Sequence, residues 1–112
     1  MKAEYEFFAA DEVQWTETEQ VGVTERVLSR DPEDPAILTR LARWAPGLDT
    51  SFDGVITHDY VEEVYLLDGE LHDLTLDRTF RAGEFAMRRP GMRHGPYRTA
   101  TGCLMLETRY RP

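Results

Sequence analysis

Three histidines and a few acidic neighbours are the residues in this sequence best able to do chemistry: His58, His72 and His94. His58 precedes Glu63 by five positions at the start of an apolar run, Val64 to Leu67, that meets Asp68-Gly69. His94 closes a loop that follows Gly83 and contains Pro90-Gly91. A histidine and a carboxylate entering an apolar strand are costly to bury, so either they are wet or the interior uses them. Imidazole and carboxylate groups that converge with free lone pairs suit Fe, Mn, Co, Ni, Zn or Cu. Two histidines and one carboxylate with open positions is also the arrangement of oxygen-using non-haem iron.

Convergence of residues so far apart requires strands that curl together. The hydrophobic period is mostly two. Strands are expected at Val21–Leu28, Ala36–Trp44, Glu62–Leu67, Leu71–Leu76, Glu84–Arg88 and Gly102–Tyr110. Turns are expected at Ser29–Pro35, which carries two prolines, at Pro46-Gly47, at Asp68-Gly69 as a tight hairpin, at Arg78–Gly83 and at Pro90-Gly91. Short strands broken by Gly/Pro turns about every ten residues point to an all-β sandwich or barrel. The 112 residues fit one domain, 1–112, with no linker, repeat or low-complexity tract.

The spacing resembles the two motifs of the cupin superfamily. The first is Gly, His-x-His, three or four residues, Glu, six residues, Gly; it falls within 54–69, "GVITHDYVEEVYLLDG". His58 falls on its second histidine, Ile56 on its first, and Glu63 on its glutamate with five residues to Gly69. The second falls within 83–94, "GEFAMRRPGMRH", and ends on His94; Arg98 stands where an asparagine is usual. "EEVYLLDGEL" and "RPGMRHGPY" are similar to the subgroup that includes the cupin domain of ChrR-type anti-sigma factors. Those factors carry a separate N-terminal zinc-binding domain that has no counterpart here, so an anti-sigma role is not implied.

The resemblance implies a small cupin jelly-roll β-barrel and one divalent transition metal (Fe, Zn, Mn, Ni or Cu). The implied ligands are His58, Glu63 and His94, with Glu63 also as proton acceptor. A fourth ligand could come from His72, Tyr60 or Asp73; by alternation His72 points away and Glu62 faces solvent. Ile56, Tyr60, Tyr65, Arg40, Arg43, Phe85, Met87 and Tyr97 are the candidate pocket residues. One of Arg40 and Arg43 faces inward at most, and the aromatics and methionines also read as plain core. Two function classes follow. One is a metal-dependent enzyme on a small organic molecule, of dioxygenase, isomerase or cyclase type. The other is a non-catalytic binding or sensing module with a partly degenerate metal site.

Composition narrows the partners. A net charge of −8 argues against nucleic acid. Arg88, Arg89 and Arg93 beside His94 could receive an anionic small molecule or be solvated loop residues. No apolar run spans a membrane and the N-terminus is not a signal peptide. With one cysteine, Cys103, no internal disulfide forms, and a cytoplasmic location is expected. The resemblance implies a homodimer, for which Phe7-Phe8 and Cys103–Leu106 could supply an interface or swapped edge strand.

Overall fold

In the computed structural model, which describes all 112 residues, eight antiparallel strands carry the chain. They are β1 (Thr16–Glu17), β2 (Val23–Asp31), β3 (Asp34–Trp44), β4 (Val61–Asp73), β5 (Arg78–Arg81), β6 (Phe85–Arg88), β7 (Tyr97–Arg98) and β8 (Cys103–Tyr110). The lateral order is β1-β2-β3-β8-β4-β5, and β6 and β7 also pair with β4. The result is the curled all-β architecture expected from the sequence. Two short 3-10 turns, Ala10–Glu12 and Ser51–Asp53, are the only helical elements, and no helix is long and apolar enough to cross a membrane.

The long strand β4 organises the fold. Its first part pairs with β8 and β6, and Glu70–Asp73 pair with β5. The expected hairpin at Asp68-Gly69 is absent: these residues lie inside β4, where the register with β8 shifts between Leu66 and Asp68. An extra residue in one strand bends it and raises its local twist. Gly69 makes the bend with φ +77, and a Cβ there would lie 2.1 Å from the Gly102 carbonyl oxygen. The reversal comes later, at Leu74–Asp77, and Arg78–Arg81, expected as turn, is β5. Likewise the turn expected over Ser29–Pro35 narrows to Pro32-Glu33, because β2 runs on to Asp31 and β3 begins at Asp34.

The bulge changes which face each β4 residue presents. Before it, Glu62, Val64 and Leu66 are buried while Tyr65 and Leu67 are exposed; after it, Leu71 and Asp73 are buried. A one-residue shift moves a whole set of side chains to the other face. Val64, Leu66 and Leu71 pack with Tyr97, Cys103 and Met105 as the apolar core. Since β8 lies between β3 and β4, with Cys103 and Met105 turned into that core, Cys103–Leu106 is not the free apolar edge expected above. Phe7 and Phe8 are exposed.

Candidate metal centre

Chain geometry brings His58, Glu62 and His94 together. One ligand atom from each lies within 4.8 Å of the other two. His58 sits in the segment leading into β4, and its Nε2 is 3.8 Å from Glu62 Oε1. Its ring stacks on Tyr60 at 4.6 Å and meets the His94 ring edge-on at 4.8 Å. His94 is fixed by a backbone bridge, its N–H donating to the Ile56 carbonyl at 3.0 Å and the Ile56 N–H donating to its carbonyl at 2.7 Å. So Ile56, at the first histidine position of the motif, secures His94 through its backbone while its side chain lines the site.

The carboxylate is therefore Glu62 and not Glu63. Glu62 is 3 % exposed. Glu63 lies on the other face with Tyr65 and is only half-buried. Matching Glu63 to the motif leaves five residues to Gly69, and counting by twos from it reaches Leu71 and Asp73, but the bulge reverses the parity between them. The spacing held the missing signal: from Glu62 there are six residues to Gly69 and three back to His58, both as in the family motif, with Ile56 its one departure.

Other candidates separate cleanly. His72 does not join the cluster and has both ring nitrogens engaged elsewhere, Nδ1 2.8 Å from Thr79 Oγ1 and Nε2 3.1 Å from Asp77 Oδ1. Asp73 accepts the backbone N–H groups of Thr75 and Leu76, both at 2.9 Å. Arg40 points inward, whereas Arg43 lies exposed over Trp15, 4.2 Å from its ring. Tyr97 is buried beside His94 and Arg88, and Phe85 stands at the rim of a neighbouring cavity. Tyr65 and Met87 are exposed and line neither of the two cavities at the centre.

Around Glu62 lies a charge ladder that sequence reading missed. Arg88 on β6 donates to Glu62 Oε1 at 2.8 Å and Arg109 on β8 to Oε2 at 3.0 Å. Arg40 donates to Glu107 at 2.8 Å and to Glu25 at 2.6 Å. Arg109 and Glu107 approach to 3.8 Å and join the two rungs. Three carboxylates thus face three guanidiniums. Burial pushes the Glu62 carboxyl up, but Arg109 and Arg88 outweigh it and hold it below the usual range. Glu107 ends raised, because burial outweighs Arg40 there and Glu62 adds repulsion.

Burial, with Arg88 beside it, lowers His94 to about 4. Burial also lowers His58, against the pull of Glu62. Both imidazoles are thereby kept neutral near neutral pH, with ring lone pairs free. His94 Nδ1 is buried without a hydrogen-bond partner. A divalent transition metal fits this set: two neutral imidazoles, one ionised carboxylate, and outer guanidiniums that orient the carboxylate.

A curled β-barrel with two histidines and a glutamate gathered in its interior defines a cupin. The chain belongs to the ChrR Cupin-like domain family, whose model matches residues 4–110. No curated protein matches. Among solved structures, an RmlC-like cupin from Shewanella frigidimarina aligns with TM-score 0.73 and 18 % identity, over 96 % of this chain and 91 % of that one. An acetylacetone dioxygenase from Acinetobacter johnsonii aligns with TM-score 0.71 and 18 % identity, over 95 % and 73 %. The polyketide cyclase RemF from Streptomyces resistomycificus aligns with TM-score 0.68 and 19 % identity, over 97 % and 82 %. At these identities the likeness establishes the shared fold.

Proposed function

We propose that this protein is a metal-dependent enzyme acting on a small organic molecule, with one divalent transition metal held by His58, Glu62 and His94. The observation that carries this reading is the convergence of the three ligand atoms within 4.8 Å beside cavities that a small molecule can enter. Similarity to a dioxygenase and a cyclase supports an oxygenase, isomerase or cyclase type of reaction. A metal bound there would polarise a substrate oxygen as a Lewis acid or, if redox-active, supply oxygen chemistry. The chain's own contribution is orientation. Arg88 and Arg109 clamp Glu62 from two strands, and the Tyr60 ring holds the His58 plane. The homodimer that accompanies this reading would draw on exposed Phe7 and Phe8.

Metal content of tag-free protein, measured by plasma mass spectrometry, tests the proposal. Near one equivalent is expected in the parent and a large loss in both His94→Ala and Glu62→Gln. Metal-free protein after reconstitution with several ions would sink it. The second reading, a binding module without metal, is favoured by one feature: both Glu62 oxygens already accept a guanidinium N–H. In that case the same variants would change ligand affinity alone.

A further inference from the structure

Beside the histidine cluster lies a larger cavity of about 490 Å³, within the size range of small-molecule sites. Its inner wall is apolar: Val64, Leu66, Leu71, Ala86 and Met105. Its mouth carries Val55, Leu76, Phe85 and Met92, all substantially exposed. Arg88, His94 and Tyr97 form a partition, lining both this cavity and the smaller one of about 170 Å³ that contains His58 and Glu62.

The partition is rich in unused donors. Arg88 gives one N–H to Glu62 and one to the Tyr97 hydroxyl oxygen, each at 2.8 Å. A guanidinium has five N–H groups, so three remain. Tyr97, whose oxygen accepts from Arg88, still has its own O–H to donate. Two further arginines, Arg78 and Arg93, line the cavity. The two acids there are engaged with backbone: Asp73 with the N–H groups of Thr75 and Leu76, Glu84 with that of Arg81. An apolar chamber that ends in donors complements a ligand of opposite design.

We propose that this cavity binds a small ligand with an apolar, ring-sized body and one acidic oxygen group, a carboxylate, phenolate or enolate, set against Arg88 and Tyr97. This names a substrate class for the reading above and rests on it for the chemistry. Binding itself is read independently of metal and turnover.

The test uses the full chain with methyl-labelled methionine, titrated with anilinonaphthalene sulfonate, whose sulfonate stands in for the acidic group. Its uncharged counterpart, N-phenylnaphthylamine, is the comparison. Saturable one-to-one binding is expected, shifting the Met92 and Met105 methyls and leaving Met1 and Met87 unmoved. Affinity should fall at least ~10-fold in Met92→Asp and in Ala86→Phe, and the uncharged probe should bind at least ~10-fold more weakly. Met92 is at the rim, so Met92→Asp keeps the test valid where Ala86→Phe strains the fold. No saturable binding, shifts spread over all the methionines, or affinity unchanged in both variants would overturn the cavity assignment. Equal affinity for the uncharged probe would overturn the acidic group. Metal content is measured on the same samples: metal retained with dye binding lost refutes this inference alone, and dye binding kept without metal refutes only the metal reading.

Discussion

The same strands build two opposite interiors. At one end, inward residues are charged: Glu62 on β4, Glu107 and Arg109 on β8, and Arg40 on β3. Two to four positions further along, the same strands present Val64 and Leu66, Met105 and Cys103, and Ala42. Register makes the change abrupt, for Arg40 sits opposite Glu107 and the next inward pair is Ala42 opposite Met105. The apolar half is stabilised by burial and packing, about 1.5–3 kcal/mol for each fully enclosed large side chain. The charged half is held by mutual compensation. Its ion pairs outweigh desolvation at Glu62 and only partly offset it at Glu107, and removing one member leaves its partner buried with less compensation. One half is therefore tolerant of shape-conserving change, and the other is intolerant of any change in charge.

The largest effect is expected where that compensation is broken. Arg40→Met strands Glu107 between β3 and β4 and should destabilise by about 3–5 kcal/mol. Adding Glu107→Leu to the same chain should recover much of the loss. Urea unfolding of the parent, both singles and the double makes a complete cycle. An additive double variant would mean that the ladder does not act as a unit. Leu66→Ala, in the apolar half, should cost about 2–5 kcal/mol through lost burial and a residual cavity. Unlike changes in the ladder, it should leave metal content near the parent value, and a loss there would mean that the two halves are coupled.

A smaller effect belongs to His94 in the metal-free protein. Its pKa is about 4 in the fold and about 6.5 in an unfolded chain. Between those values the unfolded chain binds more protons, so this contribution is complete above pH 6.5 and lost as pH falls toward 4. The expected loss is about 1–3 kcal/mol, allowing for partial screening. Urea midpoints measured across that window should fall with acid less steeply in His94→Ala. Parallel pH profiles would show that His94 is not held neutral by its surroundings.

How much of this was legible in the sequence divides along the same line. Alternation and Gly/Pro punctuation are local signals and made β2, β3, β6 and β8 legible, but not the short strands β1, β5 and β7. His58 and His94 were legible from the motif spacing. Glu62 was obscured because its neighbour Glu63 takes the motif's glutamate one residue short of the usual spacing, and because β4 reads as two strands about a hairpin, whereas it is one strand with a bulge between Leu66 and Asp68. Just past that bulge, Gly102 on the approach to β8 crosses Gly69 at a distance no side chain would allow, a contact between residues 33 apart in sequence. Arg88, Glu107 and Arg109 were hidden for a different reason. A charged residue in a strand reads as solvated until its partners on other strands are known.

The smallest predicted effect is the sharpest on the site itself. Glu62 and Glu63 are adjacent and chemically identical, and differ only in the face they present. Glu62→Gln keeps the shape and one acceptor oxygen but removes the charge that balances Arg88 and Arg109. Glu63→Gln alters a half-buried group with no guanidinium partner. The second variant should match the parent within about 0.5 kcal/mol, as surface substitutions generally do, and should keep its full metal content. The first should lose metal and stability together. Were Glu63→Gln the variant that lost metal, β4 would have to run one residue out of the register described here. Val64 and Leu66 would then face solvent, and exposing them would cost the apolar half about 3–6 kcal/mol. Swapping the roles of two neighbouring glutamates therefore cannot be done locally. The apolar core holds Glu62 in place.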